Sequence, residues 1–405
     1  MKKTLMLFII ISIWSCTNQQ SKSSHYTEEQ VTSLYLDSAT VLDVEVDSII
    51  KIDLNSFLKR QHFDFGSLVQ EVKLISLETT NESLLSDIYK ILITDSNIYV
   101  YDKYKGGGVA IFNKNGEFVR RITHGQGPGE VFRLLDIAYD MDQNELILFQ
   151  HPFLCYYTPL GEFIQTKRLP FGFYNFMVIP NGYLFKSIDR QGNDHLGSLE
   201  NYTLFVTDKS FRLKSVGMPY SSKGSVLEGY HYLYDNNNEI KVTQGYTDTI
   251  YQYITETNSL RAKYVMDYSN KKLPEHYLYG EGNEFRNAIR QEDYYFYLGE
   301  YLETESHHAF FLCNWHIGLN TIVYRDKKSG NLIGGTNADL NLSEIPLVGF
   351  PKAVSGDYFV NWYFPNQNDS LLLNSSVISA DDKEKIKNTA NDDNPVLVFF
   401  KLKYF

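Results

Sequence analysis

Two patterns of apolar and polar positions take turns along the chain. The first is a polar turn that opens a strand of alternating apolar and aromatic residues. It reads Thr94-Asp95-Ser96-Asn97-Ile98-Tyr99-Val100 and Asp142-Gln143-Asn144-Glu145-Leu146-Ile147-Leu148. It returns at Pro180–Phe185, Tyr246–Tyr251 and Ser355–Val360. The second is a hairpin tip, Phe112-Asn113-Lys114-Asn115-Gly116-Glu117-Phe118 and Tyr157-Thr158-Pro159-Leu160-Gly161-Glu162-Phe163, with looser copies at Val206–Leu213, Ile254–Leu260 and Tyr324–Leu332. A period of two marks strands, because successive side chains point to opposite faces. The two patterns alternate at intervals of roughly 40 to 70 residues, as radially repeated sheets require. The spacing predicts an all-β, six-bladed β-propeller. Five blades fall near 85–125, 131–170, 174–217, 229–267 and 295–334, and a sixth opens near Val348. Its remaining strands are split between the chain ends. Pro395–Lys403 reads as a strand, and one N-terminal strand is expected beside it, closing the ring without a free edge.

Two stretches break the β pattern. Glu275–Arg290 carries helix formers, and Asp381–Asn388 places acids first and lysines later, as the helix dipole favours. The N-terminus lies outside the fold. Lys2 and Lys3 precede an apolar run, Leu5–Trp14, too short for a membrane span. Ile13-Trp14-Ser15-Cys16 resembles the lipobox of bacterial lipoproteins. That resemblance implies a signal peptide over 1–15, cleavage before Cys16 and lipidation of its sulfur, with the protein anchored in the cell envelope, in the outer membrane. Residues 16–40 are polar and without period, and read as a flexible tether. The propeller then occupies 41–405.

Composition fits this picture. The 405 residues are 43% hydrophobic and 15% aromatic, with 31 Tyr and 26 Phe, which supply strand formers and a large core. The net charge is −11, and loss of Lys2 and Lys3 takes it to −13. That sign argues against nucleic acid as a partner, since phosphate binding rests on clustered cations. Of three cysteines, Cys155 and Cys313 sit in apolar strand patterns and read as buried thiols.

Several runs carry a resemblance to a family. Leu74-Ile75-Ser76-Leu77-Glu78-Thr79, Gly125-Gln126-Gly127-Pro128-Gly129-Glu130 followed by Leu135-Asp136-Ile137, and Asn394-Pro395-Val396-Leu397-Val398 resemble the six-bladed propeller lipoproteins of Gram-negative bacteria, with an architecture similar to NHL and TolB-like propellers. The resemblance implies a fold and an address, and brings no catalytic residues.

Candidate chemistry is sparse. The Gly125–Gly129 run lacks the spacing and the following helix of a dinucleotide loop, and reads as a stiff crossover between blades. Asp140–Glu145 begins like a calcium loop but lacks its Gly and its bidentate Glu. His307 and His308 are adjacent, so in a strand their rings point to opposite faces. No metal or cofactor is expected. Asp37-Ser38-Ala39 is similar to the O-glycosylation sites of some secreted bacterial proteins. The aromatic clusters Tyr230–Tyr234, Tyr294–Tyr297 and Trp362–Phe364 divide between core and a rim suited to sugars or peptides. The Gly-rich crossover leads to a candidate channel-mouth patch of His124, Glu130, Arg133 and Asp136. The reading is a monomeric binding or scaffold module for a protein or glycan. The alternative is a hydrolase or lyase working in the channel, metal-dependent or not.

Overall fold

The computed structural model describes residues 26–59, 65–103, 107–187, 192–220, 232–236, 239–280, 282–336, 351–365 and 369–405; Cys16 lies outside them. Its strands form six small antiparallel sheets arranged as a six-bladed propeller. Blades 1 to 5 span 88–122, 136–168, 175–219, 233–267 and 301–336. Blade 6 combines Ala353–Ser355, Tyr358–Tyr363 and Val396–Leu402 with the N-terminal strand Val69–Ser76. Val396 pairs with Ser76 and Phe400 with Val72, so the chain ends close the ring as the split strands predict. The inner strands follow one another around the axis, and the first meets the last.

Burial follows the radius. The second strand of blade 1, Asn97–Asp102, is buried along its whole length, as is Gly182–Lys186 in blade 3. The outer strand of blade 2, Phe163–Arg168, is exposed at five of six positions. Six hydrophobic clusters fill the six clefts between neighbouring blades. Tyr99, Ile111 and Val109 meet Leu146 and Leu148 between blades 1 and 2, for example. The hairpin tips need their glycines. Gly116 has φ +88°, and a Cβ there would lie 2.1 Å from the Ser76 carbonyl oxygen of blade 6.

The segment before blade 6 is a ribbon around the rim. Residues 16–25 lie outside the described part, but residues 26–40, which their polarity assigns to a tether, pack on the body. Thr27 and Gln30 form a capping box on helix Glu28–Thr32. Leu34 is fully buried in the cleft between blades 2 and 3. Leu42 fills the cleft between blades 3 and 4; Ile52, Leu54 and Leu58 fill the next; Phe65 and Leu68 fill the one after. Along the way Thr40–Val41 runs parallel to the outer strand of blade 3, and Val44–Glu45 and Ile50–Asp53 run parallel to that of blade 4. The ribbon thus places apolar side chains in four successive clefts and covers two sheet edges. Ser38 of the Asp37–Ala39 triplet stays exposed within it.

The expected helices appear as His276–Tyr279 with Gly282–Gln291, and as Ala380–Lys387, capped by Ser379. A further short helix, Asp369–Asn374, carries no clear signal in the sequence. No described helix is long and apolar enough to cross a membrane.

Candidate binding groove

Inner strands start on one face of the ring and second strands return to it. On this face, between blades 3 and 4, three loop segments enclose a groove of about 390 Å³. Met218, Pro219 and Tyr220 end the outer strand of blade 3. Gln244 to Tyr251 join the second and third strands of blade 4, and Lys272 to Tyr279 lead into the helical excursion. Four tyrosines line the groove, Tyr220, Tyr246, Tyr251 and Tyr279. Tyr246 is held by Phe285 and Phe296, with ring centroids 5.6 and 6.0 Å away. Tyr279 is 43% exposed at the rim. Met218 and Tyr246 both hold left-handed backbone, φ +57° and +63°, a conformation that costs free energy and collects at functional sites.

The polar groups of the groove are mixed. Asp248 pairs with Lys272 at 2.7 Å, and Thr249 Oγ1 donates to Asp248 Oδ1 at 3.2 Å. Glu275 adds a second carboxylate, so the lining leans acidic. Beneath it, Gln244 Nε2 donates to the Pro219 carbonyl, and Gln244 Oε1 accepts from Thr203 Oγ1 at 2.9 Å. Lys186 extends this chain. Its ammonium meets Thr203 Oγ1 at 2.7 Å, the Ser187 carbonyl at 3.2 Å and Gln244 Oε1 at 3.4 Å, and burial pushes its pKa down to about 7.

The four residues of the predicted patch do not form one site. Asp136 is 1% exposed at the start of the inner strand of blade 2. It accepts from Lys90 Nζ at 2.6 Å, Phe176 N at 3.0 Å and Asn175 Nδ2 at 3.4 Å, and so ties blades 1, 2 and 3 together. Glu130 folds back on its own turn and accepts from Gly127 N at 2.7 Å. A Cβ at Gly125 would lie 1.9 Å from that carboxylate, so a larger residue there would push the Glu130 side chain aside. His124 and Arg133 are exposed, and both flank Phe132, each about 5.4 Å from its ring centroid. The Gly-rich run is a crossover turn, with a parallel bridge from His124 to Val131. Asp140 Oδ1 accepts from the amides of Asp142 and Gln143, a hairpin turn and not an ion loop.

A second polar cluster is sealed at the other end of the inner strands. Glu303 lies between Lys241 Nζ at 3.3 Å and Lys327 Nζ at 2.5 Å, and Tyr301 donates to it at 2.7 Å. Burial opposes the Glu303 charge, but the two lysines outweigh it and hold the carboxyl below its usual range. Burial also holds the His308 imidazole neutral, against the Tyr301 hydroxyl at 2.7 Å. His307 has separate partners, Ser306 Oγ and the Lys403 carbonyl. With Glu303 and His308 1–2% exposed, the cluster binds blade 4 to blade 5.

The aromatic clusters of the sequence supply core more than rim. Tyr295, Phe296, Tyr297 and Tyr363 are buried, as is Tyr232. Tyr246 and Tyr251 of the groove share one strand signature, but no local signal joins them to Tyr220 and Tyr279.

A ring of six blades closed by both chain ends is a six-bladed β-propeller, and it carries a groove on one face. The chain belongs to the family described as "Domain of unknown function (DUF4934)", whose model matches residues 14–401. No curated protein matches it. Among solved structures it is similar to a "Putative exported protein" of Bacteroides fragilis, at 18% identity and TM-score 0.71, over 88% of this chain and 100% of that one. That likeness shows the fold. It is also similar to the extracellular domain of a "putative one component system" of B. thetaiotaomicron, at 13% identity and TM-score 0.34, over 65% and 29% of the two chains. A protein of Bacteroides caccae gives 14% and 0.35, over 62% and 81%. Scores this low add nothing about the fold.

Proposed function

We propose that this chain is a lipid-anchored binding module of the bacterial cell envelope, in the outer membrane, that takes a glycan or protein partner in the groove between blades 3 and 4. The single observation behind the reading is the groove. Tyrosine rings on a rigid frame, set beside amide, hydroxyl and carboxylate groups, suit a ligand with apolar faces and hydroxyl edges. The excess of carboxylate disfavours phosphorylated or acidic ligands, so an uncharged oligosaccharide is the partner that fits best. The Lys2–Cys16 pattern supports the anchor, and the name of the Bacteroides fragilis neighbour agrees with export.

Calorimetric titration with a panel of uncharged oligosaccharides tests this. At least one should bind, and Tyr279→Ala should weaken it about ten-fold or more, as loss of an aromatic anchor does. Tyr279 is exposed enough for the change to leave the fold intact. No binding across the panel, or binding indifferent to Tyr279→Ala, would contradict the glycan reading. Release of smaller sugars that stops in Asp248→Asn would favour the hydrolase instead.

A further inference from the structure

Beneath the groove lies a lysine that does not itself line it. Lys186 ends the second strand of blade 3 and is 1% exposed. Its nitrogen touches only neutral oxygens, those of the Thr203 hydroxyl, the Ser187 carbonyl and the Gln244 amide. The one titratable neighbour is Tyr232, whose ring lies 5.6 Å away. No charged group on the strands and loops packed around Lys186 shifts its charge state; burial is the whole effect. The charged groups of the groove are Asp248, Lys272 and Glu275, and Asp248 is taken up by Lys272. A buried ammonium with no counter-charge is costly, so this packing favours the neutral amine.

The partners of Lys186 are also the supports of the groove. Thr203 Oγ1 lies 2.8 Å from the Met218 carbonyl, and Gln244 Nε2 donates to the Pro219 carbonyl at 2.9 Å. Thr247 Oγ1 donates to the Gln244 carbonyl at 2.9 Å. One chain of hydrogen bonds therefore runs from Lys186 to Met218 and Pro219 on the blade 3 wall, and to Gln244 and Thr247 on the blade 4 side. Its weakest link is Gln244. That contact to Lys186 is the longest of the three, at 3.4 Å, and Gln244 alone among the three partners lines the groove. Met218 and Tyr246, on the two sides of the link, hold left-handed backbone.

We propose that Lys186 works a proton-sensitive latch in this seam: the neutral amine keeps the wall and floor of the groove shut, and the protonated form lets Gln244 swing aside so that water or a ligand hydroxyl reaches the ammonium. The inference rests on the reading of the groove as the recognition site, and adds to it a wall that stiffens as pH rises. The direction follows from linkage. The closed seam holds Lys186 at a pKa of about 7, and an opened seam returns it toward 10.5. Below pH 7 both states carry the proton, so opening does not depend on pH. Above pH 7 the closed seam has lost the proton and opening must take one up. The closed state then gains on the open one by at most about ten-fold per pH unit.

Amide hydrogen exchange on the whole protein, without any ligand and with rates corrected for their intrinsic pH dependence, tests the latch. The reporters are the amides of Tyr220, Thr243 and Tyr246, which donate to the carbonyls of Asn201, Tyr232 and Tyr297 around the seam. The controls are the amides of Gly125 and Val131 in the distant crossover turn. Protection of the reporters should be level from pH 6 to 7 and rise at least about five-fold from pH 7 to 9, while the controls stay level. Lys186→Met should abolish the rise, and the contrast within the wild type decides the matter even where that variant fails to fold. A level profile at the reporters overturns the latch, as does a rise that survives in Lys186→Met. A rise shared equally by the controls also overturns it, since Lys186 would then act only on the stability of the whole molecule. Failure of every oligosaccharide to bind contradicts the glycan reading and leaves the latch to be decided by exchange alone.

Discussion

Lys186 lies wholly within the seam between blades 3 and 4, and its contacts are a hydroxyl, an amide oxygen, a carbonyl and the Tyr232 ring 5.6 Å away, none of them a carboxylate. Burial therefore acts on it unopposed, and its pKa falls from 10.5 to about 7. The sign of the linkage follows. Between pH 7 and 10.5 the unfolded chain binds the proton that the folded chain has given up, so stability rises with pH across that window. Lys186→Met should remove this increment, because a buried ammonium without a counter-charge is exchanged for an apolar side chain of similar length. Urea unfolding at pH 7 and pH 9.5 measures it: the wild type should gain stability relative to the variant at the higher pH. Parallel behaviour of the two proteins would contradict it. A lysine in this state is not legible in sequence, since Phe185-Lys186-Ser187 reads as the end of an ordinary strand. The same holds for Asp136, placed rightly at the start of an inner strand, whose partners Lys90 and Asn175 come from other blades.

The elements separate into those with local signals and those without. Hairpin tips such as Asn113–Phe118 declare themselves through a glycine that must adopt positive φ, and strands through their period of two. Both are decided within a few residues, so the blade limits expected from sequence nearly coincide with those observed. The ribbon has no such signal. Its anchors, Leu34, Leu42 and Leu54, are separated by irregular stretches of polar residues, and a lone apolar residue gives no period. Yet each is at most 5% exposed. Leu54→Ala should cost about 2–5 kcal/mol, the usual range for a buried leucine. Val46→Ala, on a residue 68% exposed in the same ribbon, should change stability by less than about 0.5 kcal/mol. Denaturant midpoints of the two variants check the contrast. Similar small effects would mean that the ribbon adheres only weakly to the body.

At the scale of the whole molecule, the ring converts sequence distance into neighbourhood. Tyr220, Gln244, Tyr251 and Tyr279 stand 59 residues apart from first to last and meet in one groove only because blades 3 and 4 are adjacent. This is why the architecture was open to reading and the site was not. The repeats report the ring, but which loops rise around a concave surface depends on loop packing that no pattern records. The Gly-rich crossover, the most distinctive local motif, proves to be a turn stabilised by Glu130, while the groove lies two clefts further round.

Amide hydrogen exchange with and without the best-binding oligosaccharide tests whether recognition takes place in the groove between blades 3 and 4. Backbone amides of 244–251 and 272–279 should gain protection on binding, while 123–135 and the sealed strand 301–303 remain unchanged. Protection confined to the 123–135 crossover, or absent from both groove segments despite measurable binding, would contradict the claim.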